Sequence, residues 1–162
     1  MTAQAGETII YKGKKTWMAT EPLREYLKTR EDILFNSYST ACWRGYFGTW
    51  EIKQNKLYLI DLKANSEMHG EVGLDYLFPK QKRNKILDYL FSKRNKIFAS
   101  WFTGEIRIPT GEMLEYVHAG YASIYEKDLM LTFKEGILMN EMEIDNRKTF
   151  KKMDGRLFRD ED

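Results

Sequence analysis

Alternation of apolar and polar residues over two long stretches constrains the fold of this chain more than any other feature. The first stretch, Trp43 to Leu62, reads as two strands that turn at Asn55 and share an aromatic face. The second starts near Ser100 and continues to Ile144. A period of two is typical of strands with one buried face. We expect an α+β domain on a mainly antiparallel, twisted sheet or partly open barrel.

The expected elements follow from turn and cap signals. A hairpin over residues 7–18 turns around Lys12 to Lys14, and a short helix follows, with Thr20 as its N-cap and Pro22 in its first turn. In the second block we expect a strand from Ser100 that ends at Pro109 to Gly111, a strand over 114–118, a long strand over 125–133 and, after a turn at Glu135 and Gly136, a strand over 137–144.

A tandem repeat separates the two blocks. LDYLFPKQKRNKI at 74–86 and LDYLFSKRNKI at 87–97 share ten identities in eleven aligned positions. A duplication tolerated by the fold belongs at a surface connection. Apolar residues recur there at helical spacing, which predicts one inserted amphipathic helix over about 80–97. Its polar face is basic: 80–96 holds seven Lys or Arg against one Asp.

Length and composition are those of one globular domain. The chain has 162 residues, and we expect an ordered core over 7–145 and a frayed tail over 146–162. Cys42 is the one cysteine, the first residues are small and polar, and no apolar run approaches the length of a membrane span. We therefore expect a cytoplasmic protein without a membrane segment.

Metal and cofactor signatures are absent from the sequence. His69 and His118 are far apart, Cys42 stands alone, and neither a phosphate-binding loop nor a dinucleotide fingerprint is present. We expect no metal and no cofactor. Cys42 beside Arg44 is more typical of a buried residue than of a nucleophile.

One group of titratable residues suggests acid–base chemistry. Glu105 and Arg107 share a strand face, and His118 shares a parity with Tyr116 on the next predicted strand. A hairpin that joined them would assemble an acid, a guanidinium, an imidazole and a phenol. The alternative is that Glu105 and Arg107 form a solvated ion pair and His118 is an ordinary sheet residue. We favour this alternative, with His118 and Glu105 kept as catalytic candidates.

Two candidate surfaces remain. Residue types that dominate binding hot spots occur at Trp43, Arg44, Tyr46, Arg107, Tyr116, Tyr121 and Tyr125. The repeat offers phosphate contacts for RNA at Lys82, Arg83, Lys85, Lys93, Arg94 and Lys96. A charge run more often solvates a helix face, so nucleic-acid binding ranks below a protein partner.

The segments TACWRGYFGTWEI (40–52), WFTGEIRIP and YVHAGYASIYEKDL resemble a loosely defined set of uncharacterised bacterial and phage proteins that carry the same blocks. The resemblance covers about residues 7–145 and implies a shared fold but no activity. Small proteins of this kind look like accessory proteins of toxin or phage-defence loci. We expect a non-catalytic protein-binding module, such as an immunity or inhibitor protein, whose strand edges also permit a homodimer. The alternatives are a binder or enzyme for a phosphorylated or nucleotide-like small molecule, using His118, Glu105 and Arg107, and an RNA-binding protein.

Overall fold

The computed structural model of the protein describes residues 2–79, 96–153 and 156–159. The strands are β1 (Glu7–Tyr11), β2 (Lys14–Met18), β3 (Tyr46–Lys53), β4 (Lys56–Ser66), β5 (Gly70–Gly73), β6 (Ile97–Phe98), β7 (Gly104–Glu115), β8 (Ile124–Lys134), β9 (Ile137–Asp145), β10 (Phe150–Met153) and β11 (Arg156–Arg159). The helices are α1 (Arg24–Lys28), α2 (Leu74–Leu77) and a 3-10 turn over Asn146–Thr149.

Nine of the described strands form one open sheet in the order β2-β1-β3-β4-β9-β8-β7, with β5 and β6 also paired to β4. Neighbouring strands run antiparallel except β1 and β3, which are parallel and place Thr8 opposite Thr49. A single residue pair, Lys56 with Ile137, joins β4 to β9. The Ala19 N–H donates to the Arg107 carbonyl at 2.8 Å, so the chain after β2 also reaches β7. The sheet is therefore mixed and strongly bent, but it does not close.

The core lies on one face of this sheet. Trp50, Leu57 and Leu59 from the central strands pack there with Ile106 and Leu131 from the second block, and all five are fully buried. Burial on this scale is the main stabilising contribution in a domain of this size. Both blocks that the alternation identified thus contribute to one hydrophobic core.

The sequence prediction of a mainly β domain is confirmed. The hairpin around Lys12 to Lys14 corresponds to β1 and β2, and the turn at Asn55 joins β3 to β4. The turn at Glu135 and Gly136 joins β8 to β9 as expected. The sheet is not wholly antiparallel, however, because β1 pairs with β3 in parallel.

Several predicted boundaries are wrong for local reasons. Thr20 does not cap a helix: its hydroxyl accepts a hydrogen bond from the Arg107 N–H at 2.9 Å, and α1 begins only after Leu23. Pro109 does not end its strand. It lies on β7, the edge strand, where the N–H that proline lacks would not have bonded to a neighbouring strand. Gly111 has φ 81° and lies where the pairing of β7 with β8 is interrupted by a β-bulge. The strand continues past this bulge, so β7 is one strand where the sequence predicts two over 100–118.

The segment over which the sequence predicts an inserted basic helix and most of the duplicated repeat lie outside the described residues. At the start of the repeat, 74–77 is helical. At its end, Ile97 is not helical but belongs to β6, where it pairs with Leu59 of β4. In the C-terminal segment, for which the sequence predicts fraying, the chain forms the 3-10 turn and the β10–β11 hairpin.

Candidate functional site

Five titratable residues from distant parts of the chain meet where β1 and β3 begin. They are Glu7 of β1, Glu21 before α1, Arg44 and Tyr46 at the entry to β3, and Tyr121 of the β7–β8 loop. We call this group the Arg44 cluster. The parallel pairing of β1 with β3 brings Glu7 beside Gly48, and Gly45, at φ 78°, turns the chain into β3 against the Asn36 carbonyl.

Glu7 is the buried acid of the cluster, with 1% of its surface exposed. Its Oε1 accepts hydrogen bonds from the Gly48 N–H at 2.9 Å and from Trp50 Nε1 at 3.2 Å. Its Oε2 is buried and has no hydrogen-bond partner among the described residues. Burial raises the pKa of Glu7 to about 8, although the nearby Arg44 charge acts in the opposite direction. The carboxyl group is therefore protonated at neutral pH.

Arg44 is the half-buried cation of the cluster. Its Nη1 donates to the Ala5 carbonyl at 2.8 Å and to the Tyr121 hydroxyl at 3.4 Å, and its guanidinium lies over the Tyr46 ring at 5.3 Å. The Nε and Nη2 atoms are buried without a hydrogen-bond partner in the described part of the chain. No carboxylate of that part lies within ion-pair distance of Arg44. The guanidinium thus keeps two buried donors without a partner, which is costly, and Glu21 reaches it only indirectly, through the Tyr121 hydroxyl that hydrogen-bonds to both residues.

Two phenols complete the cluster. Tyr46 is 2% exposed, and its hydroxyl has no partner within the described ranges. Burial raises the pKa of Tyr46 and of Tyr121, and the carboxyl groups of Glu7 and Glu21 act on both in the same direction. Both phenols are therefore neutral hydrogen-bond donors at physiological pH.

A cavity of about 370 Å³ opens onto the cluster between α1 and β3. Its lining comprises Glu21, Arg24, Leu27, Lys28, Arg44 and Tyr46. Three of these residues, Arg24, Leu27 and Lys28, share one face of α1. Side chains three and four residues apart lie together on a helix. Arg24 also lies 3.6 Å from Glu21. The lining holds three cations and one carboxylate, and Glu25 outside the lining pairs with Lys28 at 3.0 Å, which leaves a net positive charge.

The arrangement is suited to binding an anionic group. A guanidinium with two unused donors recognises carboxylate, phosphate or sulfonate oxygens, and such bonds are strong where water is excluded. A neutral phenol adds a third donor, and Leu27 with the Tyr46 ring supplies apolar surface for the rest of a small molecule.

The residues predicted for acid–base chemistry lie elsewhere and are not gathered into one group. The guanidinium of Arg107 is fully engaged: it donates to Asp128 Oδ1 at 2.9 Å, to the Tyr121 carbonyl at 2.7 Å and to the Ser123 carbonyl at 2.9 Å. Glu105 is exposed on β7. The exposed His118 has the Tyr116 hydroxyl at 2.9 Å from its Nδ1, so these two residues form a separate surface pair.

Of the predicted binding residues, Arg44, Tyr46 and Tyr121 meet in the cluster. Trp43, 44% exposed, points away from the core, and Tyr125 packs edge-on against Trp17 with ring centroids 5.4 Å apart. Lys96 is the one predicted nucleic-acid contact among the described residues, and its ammonium lies 3.8 Å from Glu51. The other five, Lys82, Arg83, Lys85, Lys93 and Arg94, fall outside the described ranges.

Sequence reasoning did not identify Glu7, Glu21, Arg24 or Lys28 as site residues. The sequence does contain one indication for Glu7. It lies two residues before Ile9, so in a strand both side chains point to the same, buried face. An acid at an inward position of a strand requires a specific reason. Arg24 and Lys28 are spaced four apart, which indicates a common helix face only once the helix is located.

A second, larger cavity of about 460 Å³ lies between the β1–β2 and β3–β4 turns and includes Lys12, Glu51 and Lys53. Among the described residues that line it, Glu51 is the one acid and lies 3.8 Å from Lys96, and none is a buried cation with unpaired donors. Residues 2–79, 96–153 and 156–159 contain no cluster of potential metal ligands. No helix within those ranges has the length and apolarity to cross a membrane.

Comparison of the chain with known protein families, with curated proteins and with solved structures finds no match.

Proposed function

We propose that the protein binds a small anionic molecule in the cavity between α1 and β3, with Arg44 as the principal contact for the anionic group. The observation that carries the proposal is the buried guanidinium of Arg44, whose Nε and Nη2 have no partner among the described residues and which borders the cavity. Native proteins satisfy the great majority of buried donors, so a free pair beside a cavity points to a ligand.

The charge of the cavity indicates the class of molecule. Three cations line the cavity with the carboxylate of Glu21, and Glu25 pairs with Lys28 at 3.0 Å, so one positive charge is left over and favours a ligand with at least one negative charge. A phosphate monoester or a dicarboxylate meets this requirement. The apolar wall at Leu27 and Tyr46 favours a ligand that carries an aliphatic or aromatic group beside its anion. The proposal keeps the small-molecule alternative from the sequence but assigns it to other residues.

Isothermal titration with phenyl phosphate tests this proposal. We expect saturable binding to the wild-type protein and a loss of at least about tenfold in affinity for Arg44→Met, because a charge-assisted bidentate contact contributes on the order of 1.5 to 3 kcal/mol. Arg147→Met is the matched control: it removes the same charge from an exposed arginine that pairs with Asp145. Equal affinities of the two variants, or no binding to the wild type, would contradict the proposal.

Recognition of another protein is the second candidate. The loop between α1 and β3 exposes Leu34, Tyr38 and Trp43 by 56%, 36% and 44%. Large apolar side chains that are exposed in one loop are typical of interaction surfaces. An immunity or inhibitor protein that used this loop would lose a stoichiometric partner on Trp43→Ala and keep it on Arg44→Met. The reverse dependence, or no partner in the native host, would count against this candidate.

A further inference from the structure

We propose that Glu7 is an internal counter-ion that competes with the bound anion for Arg44, so that the cavity binds anions only while Glu7 holds its proton. This inference depends on the proposed anion site. It adds a regulatory and specificity role for a residue that does not itself line the cavity.

Both Glu7 and Arg44 have buried polar atoms without a hydrogen-bond partner among the described residues. Glu7 is buried and lies outside the cavity lining; its Oε1 is anchored to Gly48 and Trp50, and its Oε2 has no hydrogen-bond partner in the described part of the chain. Arg44 has two buried donors in the same condition. Arg44 Nη1 donates to the Ala5 carbonyl, two residues before Glu7, and the Arg44 charge acts on the Glu7 carboxyl group, so the two side chains would ordinarily form an ion pair. They do not, and each keeps unused hydrogen-bonding capacity.

The protonation state of Glu7 accounts for the missing ion pair. Burial raises its pKa to about 8, which leaves a neutral carboxyl group at pH 7. The charged or titratable groups that act on it are Arg44 and Glu21, and it in turn acts on the hydroxyls of Tyr46 and Tyr121. Both phenols have raised pKa values and stay neutral throughout the relevant range. Glu7 is therefore the member of the cluster whose charge changes near pH 8.

Two consequences follow from this competition. With Glu7 neutral, Arg44 is offset by Glu21 alone among the carboxyl groups of the cluster, across the Tyr121 hydroxyl, and its charge attracts an external anion. With Glu7 ionised, a fixed carboxylate neutralises Arg44 and repels the anion. By linkage, anion binding must raise the pKa of Glu7 further, and binding near pH 8 must take up protons.

The test uses benzenesulfonate, whose charge is constant over the pH range, with the wild-type protein and Glu7→Gln. We expect wild-type affinity to fall about tenfold from about pH 7 to about pH 9, the one-proton dependence for a group with a pKa near 8. Glu7→Gln is neutral at every pH and keeps an acceptor for Gly48 and Trp50, so its affinity should stay nearly constant. A parallel decline in both proteins would overturn the inference and leave the anion site in place.

Arg44→Met separates failure of this inference from failure of the proposed function. If benzenesulfonate binds the wild type at about pH 7 and Arg44→Met does not bind it, the anion site stands whatever the pH result. If the wild type does not bind at all, both proposals fall. If Glu7→Gln does not fold, carbon-detected NMR of the wild-type Glu7 carboxyl gives the answer: its titration midpoint should rise on saturation with benzenesulfonate, and an unchanged midpoint would overturn the inference.

Discussion

Replacement of Glu7 by Gln should make the protein more stable at alkaline pH while leaving it nearly unchanged at acid pH. The folded state raises the pKa of this carboxyl group from 4.5 to about 8. Between those values the folded protein holds a proton that the unfolded chain releases, so unfolding becomes more favourable as the pH rises, and the loss levels off above pH 8. At 1.36 kcal/mol per pKa unit, the free energy of unfolding of the wild type falls by roughly 5 kcal/mol in total. About 3 to 4 kcal/mol of this loss arises between pH 5 and pH 8.

The assay is urea unfolding of both proteins at a series of pH values, followed by tryptophan fluorescence, since Trp50 is fully buried beside Glu7. Other titrating groups are common to both proteins and cancel in the difference. Gln keeps an oxygen for Gly48 and Trp50, so the hydrogen bonds are matched. We expect the unfolding free energy of Glu7→Gln to exceed that of the wild type increasingly with pH. Parallel stability curves would refute the assignment of a protonated buried acid.

The remaining predictions concern packing and ion pairing. Arg107→Met should cost about 2 to 4 kcal/mol in urea unfolding, because it leaves three acceptors of a half-buried site unpaired; a cost under about 0.5 would contradict that role. Gly48→Ala should cost about 1 to 3 kcal/mol, since a Cβ there would overlap the Glu7 carboxyl, and unchanged stability would show that the carboxyl group is free to move. Trp50→Ala should lose about 3 to 5 kcal/mol and Trp43→Ala under about 0.5, as measured by the same unfolding curves; similar losses would contradict their different burial.

The strands were predictable because their alternation is strong. The hairpin at Asn55 and the long strand through Leu131 both follow from a period of two, and each places its apolar parity in the core. The end of the first strand in the second block was not predictable in this way. Pro109 is an ordinary strand terminator in sequence terms, and only its position on the edge strand β7 removes the cost of continuing.

The cluster itself was only partly predictable. Arg44, Tyr46 and Tyr121 were selected as residue types suited to binding, but Glu7 was not. Its role depends on the parallel pairing of β1 with β3, a contact between residues about forty positions apart, which local pattern does not encode. Long-range geometry also explains why His118 lies apart from Arg107. The sequence indicates that His118 and Tyr116 share a parity, but it does not indicate that the chain carries both to the surface, away from the Arg107 guanidinium.

A crystal structure of the protein soaked with 4-bromobenzenesulfonate tests the central claim most directly, because the bromine can be located by its anomalous signal. We predict a peak in the cavity between α1 and β3, with the sulfonate oxygens about 3 Å from the guanidinium of Arg44. A cavity that stays free of the compound at saturating concentration, or a peak only at surface lysines away from α1, would contradict the account.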